Sequence, residues 1–501
     1  MTTADGTPSD RRSDTIISAS LVVLHALALS YLAVFRYVDR DEGFYLSAAS
    51  SVAHGHTPYA DFFFPQMPFL PYVLALVSGH GFSTLLYSRL IGLIPATLTP
   101  IVLVLILRKV TEVRATRLFV LFLYCLCGLV MVWHAVAKTY AWTDLFLTVL
   151  FLGLLRAASS RKLWWWTVAG ASFALALNFR SVLVIVALPI AFALESGPKE
   201  GRWKIALSIL LPAIVISLPT ILLLVNDPAR FYFNNLGFHF VRNPGVDLGA
   251  SLVERVGAIA KFLLNPQIWV VIVGLIVAWK ARTSARMAGI AGVNPFVLAA
   301  LFGGVVAFVY LLPSPVHVQY FEQMIPFALI AAVPGFDSFF ESPRGTLFGL
   351  TRRKVVKAFG VLYVLALLPF VVIYLGAIRE DDKPYSIKNM RSLTEFVQSY
   401  PDHGPVLSEW AGVPVLADRP GLPGYEYIGF QYPLPLTWDK MRAYHLPVNG
   451  DLDSLLREED PALYVVWNQP DSAVTAVARR NYHVAKEFDK FKVLVRNDVR
   501  P

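Results

Sequence analysis

The 501-residue chain is too hydrophobic for a string of soluble domains. Hydrophobic residues make up 56% of it and charged residues only 16%, against roughly 25% charged in a soluble domain. The net charge of +9 comes from basic residues gathered in short segments between apolar runs, which is typical of cytoplasmic loops. This pattern excludes a nucleic-acid-binding protein, and two cysteines provide no disulfide or zinc framework.

In chain order, the apolar runs predict about eleven transmembrane helices, each near the about 20 residues that a crossing needs. A polar cytoplasmic tail over 1–14 precedes a transmembrane domain over 15–378. Its first helix leads outward into a long external loop over 37–83. The apolar stretch from 164 to 194 is too long for one crossing, and Asn178-Phe179-Arg180 predicts a break. The predicted fold is an α-helical polytopic membrane bundle.

From residue 379 onward, Pro, Gly and charged residues increase and no spanning run remains. The segments PVLSEW, ALYVVWN and FKVLVRN predict strands, and SAVTAVARR predicts a helix. Residues 379–501 therefore form a small α/β domain, and an odd number of crossings places it outside the cytoplasm. Polar residues in 408–427 and at Trp467-Asn468 could bind an acceptor, but a lid over the external loops is the simpler interpretation.

The external loop begins with three acids, Asp39, Asp41 and Glu42, at the level where the membrane meets water. A solvated helix end beside aromatic residues would explain them. A carboxylate held there could instead accept a proton from an incoming hydroxyl, as a general base does. The downstream run HGHTPYADFFFPQMPFLPY is rich in Pro, His and aromatic residues, which indicates a folded loop and not a flexible connector.

This loop resembles the first external loop of the C-type integral-membrane glycosyltransferases, closest to the protein O-mannosyltransferase and lipid-A aminoarabinose transferase group (glycosyltransferase family 39-like). The resemblance rests on Asp41-Glu42-x-x-Tyr45, Gly55-x-x-Pro58-Tyr59-x-Asp61, Gln66-x-Pro68, Pro71-Tyr72 and Arg89. It implies the fold of that family and a sugar donor linked to a polyprenyl phosphate. It also implies attack from outside the membrane, with inversion at the anomeric carbon.

The resemblance also implies roles for individual residues. Asp41 matches the essential loop acid, which would act as general base or orient the acceptor. Glu42 follows as the second acid of the pair and would orient instead of react, and Asp61 would contact the acceptor. The remaining motif residues are expected at the substrate site: Tyr45, Tyr59, Gln66 and Arg89.

Three charged residues further along the chain are further candidates. Asp144, after Lys138 at the outer start of a crossing, is the second catalytic candidate, because charge at that depth is expensive and usually functional or paired. A helix N-cap would equally explain Asp144. Arg180 at the predicted break suits a lipid phosphate, although an arginine that snorkels to the interface would look the same. Lys138 is expected in the same substrate site.

His317 and Tyr320 precede a late apolar helix, in a turn that resembles the family's motif before such a helix. Relatives commonly have Arg directly before this Tyr, and here Gln319 stands there, so His317 would have to replace it as a phosphate contact. The histidines of the first loop, His54 and His56, have no ligand-like spacing. No cofactor is expected, and the sequence does not support a divalent metal.

The sequence thus predicts an inverting hexosyl- or pentosyltransferase that uses a polyprenyl-phosphate donor. The acceptor would be an envelope glycan, lipid or protein at the outer face of a bacterial inner or plasma membrane. A polytopic lipid or glycan transporter (a flippase) is the main alternative, but no internal repeat supports it. A catalytically inactive relative that acts by binding is the other alternative.

Overall fold

The computed structural model describes most of the chain. The described residues are 8–160, 162–196, 201–242, 248–281, 293–313, 315–342, 346–347, 350–400, 404–425, 434–446, 452–467 and 476–499.

Apolar helices dominate residues 8–376. The first ten are α1 Pro8–Phe35, α2 Arg40–Ala53, α3 Phe69–Ala75, α4 Ser83–Val110, α5 Arg114–Cys125, α6 Gly128–His134, α7 Tyr140–Ser160, α8 Leu163–Phe179, α9 Ala187–Ser196 and α10 Arg202–Asn226. They are followed by α11 Pro228–Tyr232, α12 Phe238–Val241, α13 Leu248–Leu263, α14 Pro266–Ala281, α15 Pro295–Val309, α16 Ile325–Glu341, α17 Arg352–Leu365 and α18 Leu368–Gly376. Short 3₁₀ segments cover Ser181–Val186 and Val318–Met324, and a π turn covers Phe233–Gly237.

In the described part of the chain, six helices are long and apolar enough to cross a membrane, and eight if each bent pair counts as one crossing. The bent pairs are α5 with α6, at 51°, and α13 with α14, at 86°. Two shorter apolar segments cover Ser181–Ser196 and Pro295–Val309. The chain is therefore a multi-pass membrane protein, and the count of about eleven stays a prediction.

The third predicted crossing differs from expectation because it breaks after Cys125 and restarts at Gly128. Gln267, which is only 1% exposed, compensates for the break. Its side chain accepts a hydrogen bond from Gly128 N at 2.7 Å and donates one to Leu126 O at 2.8 Å. A broken backbone inside a membrane needs such partners, because no water satisfies it there.

The helices differ in how much protein surrounds them. In the apolar 18-residue stretch of α7, 78% of the residues are buried inside the protein. In the corresponding stretches of α10 and of the α17–α18 segment, only 11% are buried. The helix α7 is therefore central, and α10 and α17–α18 are peripheral, with side chains free to face lipid. Close helix contacts use small residues: a Cβ at Gly335 of α16 would overlap the carbonyl of Gly274 on α14.

The predicted break in 164–194 is confirmed at its predicted place. The helix α8 ends at Phe179, and Arg180 is extended at φ −149° and ψ 112°. The 3₁₀ segment Ser181–Val186 then leads into α9.

The C-terminal residues form the expected small α/β unit. A two-residue ladder earlier in the chain pairs β1 Thr346–Leu347 with β2 Leu350–Thr351. The strands of the C-terminal unit are β3 Val406–Ser408, β4 Leu463–Trp467, β5 Tyr482–Phe488 and β6 Phe491–Arg496. They form a four-stranded sheet of order β3-β4-β6-β5, with β3 parallel to β4 and the other pairs antiparallel. The helices are α19 Ile387–Gln398, α20 Gly412–Leu416, α21 Trp438–Ala443, α22 Leu452–Glu458 and α23 Ala476–Asn481.

This domain packs on the helix that bears Asp41. Trp410 Nε1 donates to Arg40 O, the first residue of α2, at 2.8 Å. The Arg40 guanidinium lies over the rings of Tyr385 and Trp467, at 5.5 and 5.4 Å. We call the end of the bundle that contacts this domain the domain side.

Gly43 of α2 allows the C-terminal domain to dock, and substitution of Gly43 should weaken this contact. A Cβ at Gly43 would lie 2.5 Å from Cε2 of Trp410, so Gly43→Ala should destabilise the domain contact by about 1–3 kcal/mol through overpacking. We expect earlier thermal unfolding in detergent and faster limited proteolysis near residue 380.

Gly257→Ala is the control, because a Cβ there meets nothing within 4 Å. Identical behaviour of the two variants would contradict the docking role.

Candidate active site

The site forms at the N-terminus of α2, on the domain side. Asp39 caps this helix: its side chain accepts from Asp41 N at 3.1 Å, and its own N–H donates to Glu42 Oε2 at 2.8 Å. This capping box fixes the first turn of α2. Asp41 therefore has a defined direction, and its side chain remains 57% exposed.

Glu42 lies on the opposite, buried side of that turn. Its carboxylate receives Arg89 Nη2 at 2.6 Å, Arg89 Nε at 2.8 Å and Ala137 N at 2.9 Å. Arg89 uses its other N–H groups on the carbonyls of Ala33, Arg36 and Tyr37. Glu42 and Arg89 are both 0% exposed, so their geometry favours a positioning role, in which they fix α2 to α1 and α4.

Lys138 links the acids to the start of α7. Its Nζ lies 2.6 Å from Asp39 Oδ1 and 2.8 Å from Asp41 Oδ2. Burial alone would lower the pKa of Lys138, but Asp39 and Asp41 outweigh it and hold that pKa well above the usual value. Burial would likewise raise the pKa of Asp39, but Lys138 and Arg36 keep it below its ordinary value. Both groups are therefore charged at neutral pH, and Lys138 orients the Asp41 carboxylate.

Arg180 lies in an aromatic enclosure beside these charges. Its guanidinium carbon is 4.8 Å from the ring centre of Tyr140, 5.2 Å from that of Tyr310 and 5.5 Å from that of Tyr320. Among the described residues, no carboxylate pairs with it and its buried Nη1 has no hydrogen-bond partner. A cation with a free donor in an aromatic enclosure is suited to an anionic ligand.

Several predicted residues converge on this one region. Burial raises the pKa of Tyr45 to about 12, and the charges of Arg180, Asp41 and Lys138 all act on its hydroxyl. The same three charges act on the hydroxyl of Tyr320. The structure therefore brings Asp41, Tyr45, Lys138, Arg180 and Tyr320 together, although the sequence places them up to 279 residues apart.

His317 stands at the edge of the same region, with its ring centre 5.4 Å from that of Tyr320. Burial lowers the pKa of His317 below its usual value, and Asp41 offsets this only in part. The imidazole is therefore largely neutral at pH 7, so Arg180 and Lys138 supply the positive charge of the site.

The other loop candidates stabilise the loop itself. Tyr59, at φ 70°, donates its hydroxyl to Gln66 O at 2.7 Å, and Asp61 Oδ2 accepts from Thr57 N at 2.7 Å. These contacts close a turn within the loop. The predicted substrate contacts of Tyr59, Asp61 and Gln66 stay predictions.

Two later segments pack over this loop, which is folded as the sequence predicts. Asn234 Oδ1 accepts from Phe64 N at 2.8 Å, and Arg230 Nη1 donates to Ala60 O at 3.0 Å. His445 of the C-terminal domain contacts Ala60 O at 2.7 Å. The domain thus covers the loop, as a lid would.

One polar candidate of the C-terminal domain, Glu409, points inward. Glu409 is 7% exposed and accepts from Tyr464 Oη and from Trp467 N, each at 2.8 Å. Asn468 lies outside the described residues, as do residues 426 and 427.

Asp144 lies one turn into α7 and is fully buried, and its predicted catalytic role stays a prediction. Two residues that were not predicted from the sequence, His134 and Glu322, lie beside Asp144. His134 Nε2 is 3.3 Å from Asp144 Oδ2 and 3.1 Å from Glu322 Oε2. The spacing along the chain hides this cluster, because 188 residues separate His134 from Glu322. The signal that the sequence offered was an ionisable residue inside each apolar run, since such a residue is costly in a membrane and is usually functional or paired.

No protein-family model and no curated protein sequence matches the chain. Solved structures match it in fold. ArnT from Cupriavidus metallidurans bound to undecaprenyl phosphate has a TM-score of 0.62 at 14% identity, over 95% of this chain and 97% of that one. The apo form of the same protein gives 0.61 at 15% identity with the same coverage.

The Archaeoglobus fulgidus oligosaccharyltransferase, tethered to an acceptor peptide, has a TM-score of 0.53 at 13% identity over 90% of this chain and 69% of that one. At such identities the likeness establishes the fold alone. The resemblance seen in the first loop is confirmed at that level: the chain has the C-type membrane glycosyltransferase fold, an α-helical polytopic bundle with a small C-terminal α/β domain.

Proposed function

We propose that this protein is an inverting glycosyltransferase that moves a hexose or pentose from a polyprenyl phosphate to an envelope glycan, lipid or protein. The observation that carries the proposal is the presence of an exposed, oriented Asp41 and of an Arg180 with no carboxylate partner among the described residues, on one side of a glycosyltransferase fold. The ArnT structure with undecaprenyl phosphate supports a lipid-phosphate donor.

In the proposed reaction, Arg180 binds the donor phosphate and the surrounding tyrosine rings exclude water from it. Asp41 accepts the proton of the acceptor hydroxyl while the acceptor oxygen attacks the anomeric carbon from the face opposite the phosphate. The bond between the anomeric carbon and the phosphate oxygen breaks, and its electron pair leaves with the polyprenyl phosphate. Arg180 and Lys138 offset the negative charge that develops there.

The proposed orientation follows from the same assignment. We place the domain side outside the cytoplasm and the N-terminus inside, in a bacterial inner or plasma membrane. Residues 37–83 are then the catalytic external loop and 379–501 an external domain.

Arg180→Gln should weaken donor binding by about 10- to 100-fold, because a charged hydrogen bond contributes about 1.5–3 kcal/mol. Binding of undecaprenyl phosphate to the purified protein would be measured by the quenching of tryptophan fluorescence. Arg156→Gln is the matched control, since Arg156 also lies over an aromatic ring, Trp165 at 5.7 Å, but at the far end of α7. Equal effects of both substitutions would contradict the phosphate role.

The proposal as a whole is tested by reconstituting the wild-type protein in liposomes with radiolabelled polyprenyl-phosphate sugars and membrane acceptors. We expect the sugar label to leave the lipid phosphate and join an acceptor. Movement of the intact labelled lipid across the bilayer would establish the transporter alternative instead. Binding of the lipid without transfer or transport, for every sugar tested, would favour an inactive relative.

A further inference from the structure

The cluster of His134, Asp144 and Glu322 lies in the membrane-embedded part of the bundle and takes no part in the proposed transfer. The three residues come from the end of α6, the first turns of α7 and the 3₁₀ segment Val318–Met324. All three side chains are 0% exposed. Three separate segments thus place polar side chains beside one another in an apolar interior.

The contacts inside the cluster satisfy it only in part. The single Nε2 of His134 is shared between Asp144 Oδ2 and Glu322 Oε2. Asp144 Oδ1, Glu322 Oε1 and the hydroxyl of the fully buried Tyr124 have no hydrogen bond of good geometry among the described residues. The Tyr124 hydroxyl is an electrostatic neighbour of both carboxylates. Unsatisfied buried oxygen atoms are costly, and they indicate a missing partner.

The charges of the three ligands also suit a divalent cation. A divalent cation with two carboxylates and one neutral imidazole gives a net charge of zero.

The geometry suits a small ion. The candidate ligand atoms of the three residues all lie within 4.8 Å of one another. The distances of 3.1 and 3.3 Å from His134 Nε2 to the two carboxylates match a tetrahedral edge of about 3.3 Å, which bond lengths of about 2.0–2.1 Å produce.

We infer that His134, Asp144 and Glu322 bind a divalent transition metal, with the Tyr124 hydroxyl as a fourth ligand, and that the ion ties α6, α7 and the 3₁₀ segment together. A nitrogen ligand with carboxylate and hydroxyl oxygens suits Zn²⁺ or Mn²⁺. Arg180 and Tyr310 are both electrostatic neighbours of the cluster, so an ion bound there would lie next to the aromatic enclosure.

Metal content tests this inference without any assay of sugar transfer. The full-length protein in detergent is treated with chelator, reloaded with Zn²⁺ or Mn²⁺ alone, desalted, and measured by plasma mass spectrometry. We expect about one ion per chain, and a thermal midpoint that falls on chelation and recovers on reloading. Wild-type protein that takes up no ion and shows no chelator-sensitive midpoint would overturn the inference.

Variants locate the ion. His134→Gln and Glu322→Gln should reduce uptake more than tenfold and lose the response of the thermal midpoint to chelator. Asp337→Asn is the control, because Asp337 is a partly buried carboxylate paired with Thr111 elsewhere on α16, and it should bind the ion normally. Uptake that is unchanged in both cluster variants would identify an adventitious ion only. If a variant fails to fold, the wild-type chelation and reloading result decides.

Discussion

Asp41→Asn should reduce sugar transfer by about 10²- to 10⁴-fold, the usual contribution of a general base. The amide keeps the shape and a hydrogen-bond acceptor for Lys138, which lies 2.8 Å from the carboxylate, but it cannot take up a proton. Because Asp41 is 57% exposed, folding should be unaffected. Initial rates of label transfer at saturating donor would give the loss in kcat.

Asp489→Asn is the control for this substitution. Asp489 is an exposed residue at φ 55° in the turn between β5 and β6, and asparagine accepts that backbone conformation. This variant should transfer sugar at the wild-type rate. An Asp41→Asn rate within threefold of the control would remove Asp41 from the mechanism.

Glu42→Gln should destabilise the protein by about 3–5 kcal/mol, because it leaves the Arg89 guanidinium buried without its opposite charge. Both side chains are 0% exposed and are joined at 2.6 Å. The amide also cannot accept all four hydrogen bonds that reach the carboxylate from Arg89, Ala137 N and Asp39 N. The yield of folded protein by size-exclusion chromatography and its thermal midpoint would both fall.

The control here is Glu395→Gln, at an exposed position on α19, which should change neither property. Transfer per folded Glu42→Gln molecule should stay well above that of Asp41→Asn, because Glu42 positions α2 and does not touch the acceptor. A stable Glu42→Gln protein with no transfer would instead make Glu42 a catalytic residue.

The fold could be predicted from the sequence because the length and hydropathy of the apolar runs indicate which segments cross the membrane. The break in one of these runs was also predictable, because polar residues interrupt it at Arg180. The placement of Asp41 at the end of a crossing was also expected, whereas the contact of Lys138 with Asp41 was not. The different roles of Asp41 and Glu42 were expected from the family resemblance alone. Their physical cause could not be derived from two adjacent residues, because it depends on Arg89 approaching one face of α2.

Contacts between segments that are distant along the chain could not be predicted from the sequence for a similar reason. The bend between α5 and α6 depends on Gln267, about 140 residues later. The metal-site candidate depends on Glu322 approaching His134 and Asp144. Hydropathy reports how deep each residue lies in the membrane, and it contains no information about which helices are neighbours.

The most direct test of the account is a single-turnover experiment with purified protein and less than one equivalent of radiolabelled polyprenyl-phosphate sugar. After acceptor is added, the wild-type protein should release the polyprenyl phosphate and form a product of inverted anomeric configuration. Asp41→Asn should hold the intact donor with near wild-type affinity and not cleave it. Cleavage by Asp41→Asn at the wild-type rate, or a wild-type protein that binds every donor tested without cleaving it, would contradict the account.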